Sequence, residues 1–126
     1  MILCDTNILI ELYKNNSQVI RELNRIGVNK LAISIITQSE LYYGAINKTE
    51  LNKIKKHLTS IRILPIDLDV SNQFIQLMER YSLSHKLTIP DALIASTSLI
   101  YQFNLYTLNQ KDFRFIEGLN LHQSIK

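Results

Sequence analysis

At 126 residues the chain is the size of one domain, and residues 1–126 are read as a single unit. Hydrophobic residues make up 46% and charged residues 20%, which excludes a disordered polar chain and leaves enough apolar surface for a core. A single cysteine rules out an intrachain disulfide framework, no apolar run approaches the roughly 18 residues of a membrane span, and a net charge of +3 is too mild to name a partner.

The chain opens on Ile2-Leu3-Cys4, a short apolar run that reads as a buried strand. No basic segment precedes it, so the start does not read as a secretory leader, and a soluble cytoplasmic protein is expected. Asp5 follows directly, in Asp5-Thr6-Asn7-Ile8-Leu9. Asp, Thr and Asn all cap helices well, so capping alone would account for Asp5. Val19, Leu23 and Ile26 then recur at helical spacing.

Leu31 to Ile36 is the second strand-like run. Glu40 comes after it in Thr37-Gln38-Ser39-Glu40, a capping-box pattern that predicts a helix beginning near Thr37 with Glu40 in its first turn. Leu41, Tyr42 and Tyr43 continue that helix. Leu51, Ile54 and Leu58 mark another helix, and Ile61 to Leu64 a third strand. Val70, Phe74, Leu77, Met78 and Tyr81 form a long apolar stripe with the look of a core face.

Thr88-Ile89-Pro90-Asp91 places a proline in a first helical turn, ahead of a nearly apolar helix from Ala92 to Tyr101. Asp91 is therefore the polar tip of a buried rod, with the helix dipole as the ordinary reason for an acid there. Leu105-Tyr106-Thr107 is a fourth strand and Leu119-Asn120-Leu121 a weaker fifth. Asp112 lies in the loop after the fourth strand, with Asn109 as an alternative polar residue in the same loop.

Strands alternating with helices through the whole chain predict an α/β domain with a mainly parallel sheet. Sites in such sheets lie outside the carboxyl ends of the strands. Asp5, Glu40, Asp91 and Asp112 all fall there. The other acids, Glu11, Glu22, Glu50, Asp67, Asp69, Glu79 and Glu117, read as solvated or capping residues. Clustered carboxylates repel, and a divalent cation relieves the repulsion. An oxygen-only set selects a hard ion, Mg²⁺ or Mn²⁺. His57, His85 and His122 are scattered and form no zinc pattern with Cys4.

Taken together, Leu3-Cys4-Asp5-Thr6-Asn7-Ile8-Leu9, Ser34 to Leu41 with Tyr43-Gly44, Pro90-Asp91-Ala92-Leu93-Ile94-Ala95, and Thr107 to Phe113 resemble the PIN-domain ribonucleases, in particular the VapC-like toxins of type II toxin–antitoxin pairs. The resemblance covers nearly the whole chain. It implies a three-layer α/β/α fold with a five-stranded parallel sheet. It implies a divalent metal held chiefly by Asp5 and Asp91, endonucleolytic cleavage of RNA, a homodimer, and a small antitoxin that covers the site. Glu40 would hold a metal-bound water or act as base, Asp112 would complete the cluster, and Thr6 and Asn7 would support the ligands by hydrogen bonds.

An RNA substrate needs a cationic track. Lys86, Lys111 and Arg114 lie near the predicted strand ends, and Lys53, Lys55, Lys56 and His57 form a separate cluster that also reads as a solvated helix face. Tyr42 and Tyr43 are candidates for base stacking, for core packing or for a dimer interface. Two rival readings are a catalytically silent PIN-like binding module and a phospho-receiver signalling domain. The second would want paired acids after the first strand, where Asp5 stands alone.

Overall fold

The computed structural model describes residues 1–124; residues 125 and 126 of the single-domain reading lie outside the described part. β1 (Ile2–Cys4) leads into α1 (Thr6–Tyr13). The Asn16 side chain accepts the Gln18 and Val19 N–H groups and starts α2 (Ser17–Ile26), satisfying donors that a helix start leaves orphaned. Gly27, at φ +92°, ends it in a conformation that only glycine adopts cheaply.

β2 (Leu31–Ser34) is two residues shorter than its apolar run suggests. The Ser34 hydroxyl accepts the Ile36 and Thr37 N–H groups at 3.1 and 3.3 Å and starts α3 (Ile35–Tyr43). The predicted capping box is thereby corrected. Thr37 lies inside α3, the cap is Ser34, and Glu40 sits past the first turn. α4 (Lys48–Leu58) starts on Asn47, β3 is Arg62–Leu64, and α5 (Leu68–His85) starts on Asp67. α6 (Ile89–Tyr101) is capped by Thr88, with Pro90 in its first turn as expected. β4 (Asn104–Tyr106) completes the sheet.

The strands pair in parallel, in the order β3-β2-β1-β4. The predicted fifth strand shrinks to one parallel bridge, Leu105 to Leu121, with the Leu105 N–H on the Asn120 carbonyl at 2.9 Å and the His122 N–H on the Leu105 carbonyl at 2.8 Å. Tight turns carry the chain through Phe113, Ile116 and Gly118, the last at φ +83°, and leave too little extended backbone for a ladder.

Side-chain alternation along the strands divides the interior in two. Leu3, Ala32, Leu64 and Leu105 face α5 and α6, where they meet Leu77, Tyr81, Ile94 and Ala95. Cys4, Ile33 and Tyr106 face the other way, onto Ile8, Leu9, Leu23, Leu41 and Ile54 of α1 to α4. The sheet is the middle of three layers, with apolar surface on both faces, as the near-continuous hydrophobic runs of its strands require. Among the described residues no helix is long and apolar enough to cross a membrane.

Candidate active site

β1 is hydrogen-bonded to β2 on one side and to β4 on the other. The connection that leaves β1 goes toward β2, so the strand order reverses between β1 and β4. Parallel sheets form their ligand crevices outside the carboxyl ends at such a point. Asp5 follows β1 and Thr107 follows β4, so both stand at the mouth of this crevice.

Asp5 is buried, at 6% exposure. Its Oδ1 accepts the Thr6 N–H at 2.7 Å and its Oδ2 accepts the Thr107 hydroxyl at 2.8 Å. It does cap α1, as the bland reading of the sequence had it, but the second oxygen is held by a residue from the far end of the chain. Burial pushes its pKa up. The bonds from Thr107 and Thr6 oppose that, and the charges of Glu40 and Asp112 add to it.

Glu40 reaches the same place from α3. The Thr6 hydroxyl donates to Glu40 Oε1 at 2.7 Å and also pairs with the buried Thr37 hydroxyl at 3.0 Å. Thr6 thus ties the carboxylate after β1 to the carboxylate on α3. Asn7 does a related job on the other side: its side chain bonds Thr107 Oγ1 at 3.4 Å and accepts the Leu108 N–H at 3.3 Å. The Asn109 N–H also donates to Thr107 Oγ1, at 3.1 Å.

Asp91, in the first turn of α6, leaves the capping to Thr88, whose hydroxyl accepts the Asp91 N–H at 3.3 Å. The pKa of Asp91 is pushed up to about 6, first by burial and then by the charges of Asp5, Asp112 and Glu40, with Thr88 opposing. Asp112 ends a short 3₁₀ turn, Gln110–Asp112, and is exposed. Its charge acts on both Asp5 and Asp91. Asn109, the alternative in that loop, is neutral and contributes its backbone N–H.

All four acids therefore sit in one electrostatic neighbourhood. Among the described residues, however, no three His, Cys, Asp or Glu side chains are gathered tightly enough to hold a metal ion as they stand. The donor chemistry is hard oxygen throughout; burial is the first cause of the raised pKa values of Asp5 and Asp91, and the like-charge repulsion that adds to it is what a divalent cation would relieve. The donor set fits Mg²⁺ or Mn²⁺.

Two depressions adjoin the acids. Glu40 lines a groove with Ile10, Tyr13, Leu41, Gly44 and Ile54, flanked by Lys14 and Lys53. Asp91 and Asp112 line a cleft with His85, Lys86, Lys111 and Phe115. Tyr42 is half-buried against the α1–α4 core and takes a 3.1 Å bond from Gln38, whereas Tyr43 is 94% exposed. His57 is bonded through Nδ1 to the Tyr13 hydroxyl at 2.8 Å.

Among the acids read as solvated or capping, Glu22 is corrected. Glu22 is 3% exposed rather than solvated, and it is bonded by Arg25 at 2.8 and 2.7 Å and by His122 at 2.6 Å. Thr37, read in the sequence only as a helix start, pairs with the Thr6 hydroxyl, and Thr107, read only as the end of a strand, bonds Asp5; a buried threonine looks like any strand or helix residue until its partner is known.

A family model described as PIN domain matches residues 2–118. No curated protein matches the chain. Among solved structures, a toxin–antitoxin complex from Klebsiella pneumoniae contains a chain 31% identical to this one, with 99% of this chain and 100% of that chain covered and a TM-score of 0.82. VapBC2 from Rickettsia felis, bound to a DNA fragment from its promoter, is similar at 27% identity over 97% and 98% of the two chains, TM-score 0.83. FitAcB from Neisseria gonorrhoeae is similar at 25% identity over 97% of each, TM-score 0.81. The family match runs from β1 to the turn beyond Asp112 and takes in the whole acid-bearing edge, and the chain belongs to the PIN domain family.

Proposed function

We propose that this protein is a metal-dependent endoribonuclease that hydrolyses RNA phosphodiesters, the toxin of a toxin–antitoxin pair acting in the cytoplasm. The observation that carries the reading is the gathering of acids at the carboxyl edge of a parallel sheet: Thr6 bonds both Asp5 and Glu40, Asp91 and Asp112 line one cleft, and like charge from these neighbours adds to burial in raising the pKa of Asp5 and Asp91. Four such acids have no shared structural task, and together they suit a hard divalent ion.

In this reading Asp5 and Asp91 hold Mg²⁺ or Mn²⁺, with Glu40 and Asp112 completing the set. When bound, the ion supplies Lewis-acid polarisation of a phosphoryl oxygen. Thr6 and Thr107 fix both oxygens of Asp5, so that its orientation is set before substrate arrives. Glu40 is held through Oε1, and its Oε2, without a hydrogen-bond partner among the described residues, takes the proton of the attacking water.

The toxin–antitoxin relatives support an antitoxin partner. The groove beside Glu40, with Tyr43 and Ile46 exposed near it, suits an amphipathic helix from such a partner. A homodimer is part of the same proposal. The second reading, a PIN-like binding module without catalysis, draws on the absence of a closed ligand set among the described residues. Incubation of purified protein with RNA in Mg²⁺ or Mn²⁺ against EDTA decides between them. Metal-dependent cleavage is expected, and intact RNA in every metal leaves the binding module.

A further inference from the structure

His85, the last residue of α5, is exposed, yet its ring is fixed. Phe115 stacks against it with centroids 4.1 Å apart and planes 10° from parallel. Tyr81 meets both rings edge-on, at 5.6 Å from His85 and 5.2 Å from Phe115. The Ser84 hydroxyl is bonded to His85 Nδ1 at 2.7 Å. An exposed imidazole ordinarily samples several rotamers, and ordering it costs entropy. Here one face and one ring nitrogen are committed, and a flat, pre-ordered aromatic surface remains.

That surface borders the acids. His85, Lys86 and Lys111 line the same cleft as Asp91 and Asp112. Lys86 is held in the left-handed region, at φ 56°, with its N–H directed at the helix end, so its place in the wall is set by the backbone. Neither lysine forms an ion pair among the described residues, although two carboxylates share the cleft. Cations left unpaired beside acids remain available to an anion brought from outside.

We propose that this cleft is a nucleotide subsite: the open face of His85 stacks one base of single-stranded RNA, and Lys86 and Lys111 contact the phosphates flanking that base. The identity of the polymer rests on the nuclease reading above. Aromatic stacking tolerates any base but needs it unpaired, because a duplex keeps its base faces covered. His85 is a positioning residue here. It does not touch the reacting phosphate but sets which phosphate lies against Asp91.

The test is fluorescence anisotropy of a labelled single-stranded RNA in Ca²⁺, which neutralises the acids through oxygen coordination. His85→Ala should weaken binding roughly tenfold, and His85→Phe, which keeps a stacking face, should restore it. Lys111→Gln and Lys86→Asn should each lower the slope of log affinity against log salt by about one; Asn tolerates the left-handed backbone at position 86. A matched RNA duplex should be insensitive to His85→Ala. Thermal melts of each variant report its fold. Wild-type protein that fails to bind RNA, equal binding by wild type and His85→Ala, or no rescue by His85→Phe overturns the subsite. Cleavage in Mn²⁺, measured in parallel, judges the nuclease reading separately. RNA bound through His85 but left uncut retires the nuclease and keeps the subsite. RNA cut by His85→Ala with unchanged KM does the reverse.

Discussion

The Thr107 hydroxyl donates a 2.8 Å hydrogen bond to Asp5 Oδ2, across the seam between β4 and β1. Both residues are buried, so the bond forms where water cannot substitute for it. It restrains an acid whose pKa burial would otherwise raise further. Thr107→Val keeps the shape and deletes the donor. The variant should lose about 1.5–3 kcal/mol of stability, as for a bond to a charged group. Chemical denaturation measures that loss. If Asp5 is a metal ligand, the affinity for Mn²⁺ should fall about 10- to 100-fold, which calorimetry can read.

Asp91→Asn separates chemistry from folding. Thr88, not Asp91, supplies the cap, so the variant should keep its helix, and in EDTA at pH 7 it should melt no lower than wild type and rather higher, because the ionised Asp91 that opposes folding there is gone. Cleavage of RNA should drop by orders of magnitude, because removal of a group that acts as part of a catalytic unit abolishes most of the unit's effect. Asp5→Asn should match it, and the double variant should be little worse. Wild-type rates from purified Asp91→Asn would remove this residue from the mechanism.

Protonation of the same acid gives a metal-dependent signature. Asp91 has its pKa raised to about 6, above the usual carboxylate value, so the folded protein holds that proton more tightly than the unfolded chain. Metal-free stability should therefore fall as pH climbs from about 4 to about 6. A carbon-detected NMR titration should find Asp91 titrating near the upper end of that window. Added Mg²⁺ should move the midpoint down, and a midpoint indifferent to Mg²⁺ would speak against a shared ion.

Glu22 has the opposite sign. Its bonds from Arg25 first, and then the His122 ring, hold it down at about 2 despite burial. A depressed acid stabilises the fold at pH above its unfolded value near about 4.3, and that contribution is lost as pH falls toward about 2. Glu22→Gln should consequently be less stable than wild type at pH 7. The gap should close between about pH 4 and pH 2 in a series of urea melts.

Asp5 was legible as a residue directly after a strand, and Asp91 as the acid in the Pro-bearing first turn of a nearly apolar helix. The sequence was silent wherever a side chain's fate depends on a distant partner. Glu22 has the spacing of a polar helix face and is buried because His122, 100 residues away, lies against it. His85 looked like a stray histidine until Phe115 came to rest on it. The run Leu31 to Ile36 is apolar throughout, and periodicity cannot divide it between strand and helix. The Ser34 hydroxyl makes that division, and Ser34→Ala should cost about 1 kcal/mol by thermal melt while Thr37→Ala leaves the start of α3 in place.

β1 is the third strand in spatial order but the first to be synthesised, and β4, its neighbour, lies about a hundred residues later. At ribosomal speeds of roughly 5–20 residues per second, about 5–20 seconds separate the appearance of Asp5 from that of Thr107. Throughout that interval one edge of β1 has no partner and Asp5 lacks the hydroxyl that orients it. An unfinished chain therefore cannot assemble this edge of the sheet, and a translation product abandoned before Thr107 carries Asp5 without the hydroxyl that aims it and without Asp112.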